Sequence, residues 1–293
     1  MKYISRILLP VLLAVFLVGC TVPEPPAQIA ATTLPVYEFT SRLCEGTGIT
    51  VTRLVTEEVS CLHDYSLNVK QVKAAEAAEH IVISGAGLEE FLDDLLLDAS
   101  VIDASHGIDL LCPEEAHDHD HGHEGHHHES DPHIWLSPAN AAAMAQNICR
   151  ELISAYPHQE SVFLSNLEDL TVELEQLQSY GEETLSDLSC RDLITFHDGF
   201  SYFAEGFDLH ILEAVEEESG SEASAKELIH LIEEVEHHRL PAVFTEKSGS
   251  ESAAAIIARE TGCGAFTLDM AMAGNSYFDA MYHNINTVKE ALG

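Results

Sequence analysis

Apolar positions along this chain switch between two periods. Short β-branched runs, each closed by a polar or glycine turn, lead into stretches whose apolar residues recur every three or four positions. Residues 49–55 read as a first strand. Residues 69–78 read as the helix after it, with Val69, Val72, Ala75 and Ala78 on one face. Residues 80–84 (H-I-V-I-S) form a second strand, Gly85 and Gly87 turn the chain into an amphipathic helix over 88–97, and 101–104 form a third strand. Ser137 and Pro138 supply a cap and a first-turn proline for a helix to about residue 155. Pro157 ends it. From 158 to 187, Val162, Phe163, Leu167, Leu170, Leu174 and Leu177 keep helical spacing without a break, which predicts one long helix. A second alternating series follows: strands at 193–196, 210–215, 241–245 and 265–268, and helices at 225–237, 251–261 and 276–292. Alternation of this kind predicts parallel βαβ units on both sides of the long helix.

Two stretches break the pattern. At the N-terminus, Lys2 and Arg6 precede an apolar run over 7–18 interrupted only by Pro10, too short to span a bilayer and placed like a signal-peptide core. It ends in Leu17-Val18-Gly19-Cys20, which resembles a bacterial lipobox. Residues 1–19 are therefore expected to be a cleaved leader, Cys20 the lipidated residue, and 20–29, with Pro23, Pro25 and Pro26, a tether. The second break, 117–129, reads H-D-H-D-H-G-H-E-G-H-H-H-E and cannot build a core. It predicts a solvated loop.

The composition narrows the function. With 50 acidic and 13 basic residues the chain carries a formal charge of −37, which repels nucleic-acid phosphates and anionic lipid and attracts cations. Membrane attachment would then come from the lipid on Cys20. Beyond Cys20 six cysteines remain, Cys44, Cys61, Cys112, Cys149, Cys190 and Cys263. An even set outside the cytoplasm permits three disulfides, with the pairing open; no close spacing suggests a thiolate metal site.

Ligands of open α/β sheets bind beyond the carboxyl ends of the strands. His63 follows the first strand in a loop, His133 lies in 131–138 just before a helix, His197 directly follows the strand at 193–196, and Asp269 directly follows that at 265–268. Two come from each half. If the halves face each other, three imidazoles and a carboxylate complete a tetrahedral shell suited to Zn²⁺, which takes such ligands at about 2.0–2.2 Å.

These segments resemble those of the cluster A-I metal-binding proteins, the solute-binding lipoproteins of bacterial zinc and manganese ABC importers. D-P-H-I-W-L-S-P at 131–138 carries the likeness most strongly, with H-D-Y at 63–65, T-F-H-D-G-F-S-Y-F at 195–203, and T-L-D at 267–269 followed by Tyr277 and Met281. S-A-K-E-L at 224–228 and A-V-F-T-E at 242–246 also match. The resemblance implies two (β/α) lobes with parallel sheets, at 30–157 and 188–293, joined by one long rigid helix over 158–187, with the metal between the lobes. It implies His63, His133, His197 and Asp269 as ligands, an ABC permease as partner, a monomer anchored outside the cytoplasm, and no catalysis. Histidine rather than glutamate at position 197 favours zinc over manganese. In the loop, His117, His119, His121, His123, His126, His127 and His128 read as a zinc collector, or as an incidental polar insert. Competing readings are a manganese receptor, a zinc hydrolase, for which no H-E-x-x-H is present, and an adhesin or metal buffer without a transporter. Asp64, Trp135 and Asp198 adjoin the ligands and are candidates to orient them.

Overall fold

The computed structural model describes residues 27–57, 59, 62, 65–97, 99–111, 130–215, 223–247, 249 and 251–293. His63, Asp64, Cys20, Cys61, Cys112 and the histidines of 117–128 lie outside the described residues. So does the leader.

The first sheet holds β1 (Ile29–Ala31), β2 (Val51–Arg53), β3 (His80–Ile83) and β4 (Val101–Asp103) in the order β2-β1-β3-β4, all parallel. Its central strand β1 begins at Ile29, inside the stretch expected as tether. Three residues after a proline-rich segment present no period, yet all three are fully buried. α1 (Leu34–Leu43) follows at once, started by Pro35 in its first turn. α2 (Val69–Ala77) is where the expected helix lies, but its buried face is different. A capping box joins Asn68 and Gln71, and the Gln71 amide donates to the Leu54 carbonyl at 2.8 Å. That anchoring buries Gln71 and Ala75 and leaves Val69 71% exposed. The helix expected at 88–97 breaks into a single 3₁₀ turn and the short α3 (Asp93–Leu96).

The middle of the chain matches its periodicity. α4 (Pro138–Ala155) is capped by the Ser137 hydroxyl, and α5 (Glu160–Thr184) runs unbroken for 25 residues. The second sheet contains β5 (Asp192–Thr195), β6 (His210–Ala214), β7 (Ala242–Glu246) and β8 (Gly264–Leu268), again parallel, in the order β6-β5-β7-β8. The helices of this half are α6 (Ser201–Gly206), α7 (Ala225–His238), α8 (Ser252–Thr261) and α9 (Tyr277–Leu292). Each lobe thus places its first strand at the second position of the sheet. In both, the chain returns across that first strand between its second and third strands, creating a crevice at the carboxyl ends.

The lobes are not separate bodies strung on a helix. One buried cluster runs from Ile29, Phe39 and Leu43 through Trp135, Met144, Leu170 and Leu177 to Tyr277, Ile285 and Leu292. α5 packs along α4, α1 and α9, so the last helix brings the chain's end back onto both lobes. Smaller cores lie on the outer faces of each sheet. At Gly181, any side chain on α5 would collide with the Phe207 ring, so the helix passes at backbone distance there.

The expectation of three disulfides is corrected. Cys44, Cys149, Cys190 and Cys263 are free thiols. Cys44 and Cys149 pack in the shared core as small apolar residues, and Cys190 and Cys263 lean on the outer core of the second lobe. Burial pushes the Cys44 thiol up to about 12 and raises that of Cys149, which disfavours the thiolate that oxidation needs. Among the described residues, no helix is long and apolar enough to cross a membrane.

Candidate metal centre

The first lobe contributes His133 from a 3₁₀ turn that leads into α4. Asp131, two residues earlier, holds it twice. One carboxylate oxygen, Oδ1, accepts from the His133 backbone N–H at 2.9 Å and lies 2.8 Å from ring Nδ1. A carboxylate on Nδ1 assigns the ring proton there and leaves the Nε2 lone pair for a cation. The ring is 2% exposed, and Ile134, Trp135 and Leu136 behind it are fully buried. The turn is therefore locked before any ligand arrives.

The second lobe contributes the ends of three adjacent strands. His197 stands two residues beyond β5, its carbonyl accepting from the Thr195 hydroxyl at 3.0 Å. Its Nδ1 lies 3.6 Å from Oε2 of Glu246, the last residue of β7 and a buried carboxylate. Asp269 follows β8. Asn284, fully buried on α9, clamps its backbone from both sides, accepting from its N–H and donating to its carbonyl, each at 2.7 Å. Asp269 Oδ1 accepts from the Ala271 N–H at 2.8 Å, and Oδ2 faces the Lys247 ammonium at 3.4 Å.

The halves meet through hydrogen bonds across the lobe boundary. The Trp135 indole donates to the Met270 carbonyl at 2.7 Å, the Tyr277 hydroxyl donates to the Trp135 carbonyl at 2.8 Å, and the Tyr202 hydroxyl donates to the Asp131 carbonyl at 3.0 Å. Trp135 thus ties the His133 turn of one lobe to the turn after β8 of the other; it does not orient an imidazole by hydrogen bonding. The His133 and His197 rings come within 5.2 Å between centres at an interplanar angle of 79°. Two imidazoles sharing a tetrahedral ion, each with its nitrogen at about 2.0–2.1 Å, have ring centres about 5 Å apart. Gly199 makes this approach possible, because a Cβ there would lie 2.7 Å from His197 Cδ2, 2.9 Å from His133 Nδ1 and 2.6 Å from Met270 Cε. Beside the rings, Val59, Glu246, Lys247, Asp269, Met270, Met272 and Ala273 line a cavity of about 20 Å³.

Of the expected ligands, the structure brings His133 and His197 together and sets Asp269 on the neighbouring strand end, turned to Lys247. His63 and Asp64 lie outside the described residues. Among the described residues no three His, Cys, Asp or Glu side chains group closely enough to hold an ion. Asp198 is exposed. Asp131 and Glu246 were not foreseen as the groups facing the two imidazoles. The D-x-H spacing was a signal for the first. Nothing local marks Glu246, which reaches His197 only because β7 lies beside β5.

Two α/β lobes presenting imidazoles to each other across one boundary define a two-lobed binding protein with nitrogen-rich donors. Residues 29–291 match the sequence profile of the zinc-uptake complex component A, periplasmic, and the chain belongs to that family. It is 31% identical to the zinc-binding lipoprotein AdcA of Streptococcus pneumoniae, over 99% of this chain and 61% of the relative. The chain thus spans about three fifths of that relative's length. Its fold is similar to the crystal structure of ZnuA, with a TM-score of 0.76 and 28% identity over 91% of this chain and 100% of the other. The Zn(II)-bound ZnuA-like domain of S. pneumoniae AdcA also has a TM-score of 0.76, with 26% identity over 90% of this chain and 98% of that one.

Proposed function

We propose that this protein is an extracytoplasmic receptor that binds one Zn²⁺ between its lobes and delivers it to an ABC permease. The observation that carries the reading is the His133–His197 pair. The two rings come from different lobes, stand at the spacing a shared tetrahedral ion requires, and face Asp131 and Glu246 at their Nδ1 nitrogens. His63 and Asp269 complete the shell in this reading. The relatives named for zinc support the choice of metal, and imidazole donors suit it better than they suit Mn²⁺, which prefers oxygen-rich shells. The metal is cargo and no reaction is assigned to it. Lipidation at Cys20 would keep a monomeric receptor beside its permease, with residues 1–19 as leader and the histidines at 117–128 as a collector of zinc. Residues 30–157 and 188–293 act as the two lobes around the helix expected at 158–187.

The test is purification without added metal, elemental analysis, and competition between Zn²⁺ and Mn²⁺ for the demetallated protein. Zn²⁺ should be retained at about one ion per chain and should displace Mn²⁺. His197→Ala should weaken Zn²⁺ binding by at least about 100-fold, since disturbing even an outer-shell partner costs 10–100-fold. Unchanged affinity in that variant would remove His197 from the site.

A further inference from the structure

Asp269, read above as a ligand, is already occupied by a cation of the protein's own. The register of β7 on β8 pairs Glu246 with Leu268, and the Lys247 N–H donates to the Leu268 carbonyl at 2.9 Å. Lys247 and Asp269 are therefore the next residues beyond the ladder on adjacent strands. One Asp269 oxygen is committed, since Oδ1 holds the Ala271 N–H within a two-residue turn whose backbone Asn284 clamps. The oxygen with no backbone donor on it is Oδ2, the one more open to a metal, and that is the atom facing the Lys247 ammonium. The two side chains differ in freedom. Asp269 is 17% exposed and fixed at three atoms, whereas Lys247 is 50% exposed at the edge of the cavity. Lysine can swing into water on its flexible stem, while the carboxylate cannot turn away.

We propose that Lys247 is a specificity-determining residue of the cation site, an internal counter-ion that holds Asp269 Oδ2 until a divalent cation displaces it. The proposal rests on the reading of Asp269 as a ligand of the zinc receptor. A chain with 50 acidic and 13 basic residues concentrates every cation around itself, monovalent ions included. A tethered ammonium occupies the carboxylate ahead of those ions. A monovalent ion gains no charge by replacing it, whereas a divalent ion does. With Oδ1 held by the Ala271 N–H, the exchange favours ligation through Oδ2 alone. That suits a four-coordinate, imidazole-rich shell better than one built from many oxygens.

The experiment compares the wild type with Lys247→Gln, Lys247→Met and Lys247→Arg, each also in an Asp269→Asn background, by chelator competition for Zn²⁺. Both neutral variants should bind Zn²⁺ about tenfold more tightly than the wild type, a gain in the range of a partly exposed charge pair plus the removed repulsion. Lys247→Arg should stay near the wild type, and once Asp269 is an amide the gain should shrink to the smaller part that comes from removing the repulsion alone. Raising NaCl should weaken Zn²⁺ binding more in Lys247→Gln than in the wild type. A merely structural lysine would produce neither the dependence on Asp269 nor the salt effect. Neutral variants that bind no more tightly than the wild type would overturn the proposal, as would a gain left undiminished by Asp269→Asn. A wild type that takes no Zn²⁺ would instead defeat the receptor reading itself, a result visible before any lysine variant is made.

Discussion

The two lobes use the same strand order, and their crevices are put to opposite uses. Between β1 and β3 in the first lobe sits Glu89, 3% exposed. Its carboxylate accepts from the Thr32 hydroxyl and the Ser84 N–H, each at 2.7 Å, and from the Gly85 N–H at 3.0 Å. All three donors belong to its own lobe, and the crevice is sealed. Between β5 and β7 in the second lobe, Glu246 is as well buried, but it faces an imidazole that in turn faces the other lobe's His133. A carboxylate at the switch point of a parallel sheet is thus not a site in itself. Backbone donors and a hydroxyl turn it into a structural cap, and a histidine that also faces the second lobe's histidine puts it at the lobe boundary.

The largest expected effect tests the sealed crevice. Burial raises the Glu89 carboxyl to about 7 from an ordinary 4.5, its hydrogen bonds oppose the shift, and Asp103 adds to it. The folded state therefore binds the Glu89 proton more tightly than the unfolded state. This contribution to stability is fully present below about pH 4.5 and is lost as pH rises through 7. A shift of that size corresponds to about 3 kcal/mol. Urea unfolding across this range should show the wild type losing stability relative to Glu89→Gln as pH rises, with zinc binding at neutral pH little changed. Parallel pH profiles for the two proteins would show that Glu89 does not titrate there.

A smaller effect tests the open crevice. Gly199→Ala should push the two imidazoles apart and weaken Zn²⁺ binding by about 100-fold, comparable to losing an orienting contact outright. Circular dichroism should stay unchanged. Full affinity in this variant would mean that the rings do not share one ion. The finest comparison sets the two orienting carboxylates against each other. Asp131→Asn should reduce affinity by about 10–100-fold and Glu246→Gln by about tenfold or less, because the first lies at 2.8 Å from its imidazole and the second at 3.6 Å. The reverse order would place the rigid arm of the centre in the second lobe.

Much of the fold was legible because its elements obey a period. α4 was marked by Ser137-Pro138, α7 by Ser224, and the strands from β5 to β8 by short apolar runs closed with turns. β1 was missed because its three residues, two of them alanine, directly follow a proline-rich segment that reads as tether, although it is the strand both neighbours pair with. The face of α2 was misread because a polar side chain, Gln71, had a carbonyl to satisfy inside the lobe and apolar Val69 had nothing to cover. The cysteine count suggested bridges, but parity carries no distance, and the four described thiols are free.

The candidate site divides along the same line. By itself, the chain's order determined which residues stand at strand ends and helix starts, and so which imidazoles and carboxylates were available to a cation. Those are local matters, set by periodicity, caps and turns. Which carboxylate faces which imidazole was decided only when β7 settled beside β5. The 5.2 Å approach of His133 to His197 was likewise decided only when the lobes closed on one core around Trp135 and Tyr277. Parallel register joins His197 to Glu246 and lobe packing joins His133 to His197, pairs far apart along the chain, and no local pattern encodes a distance between them.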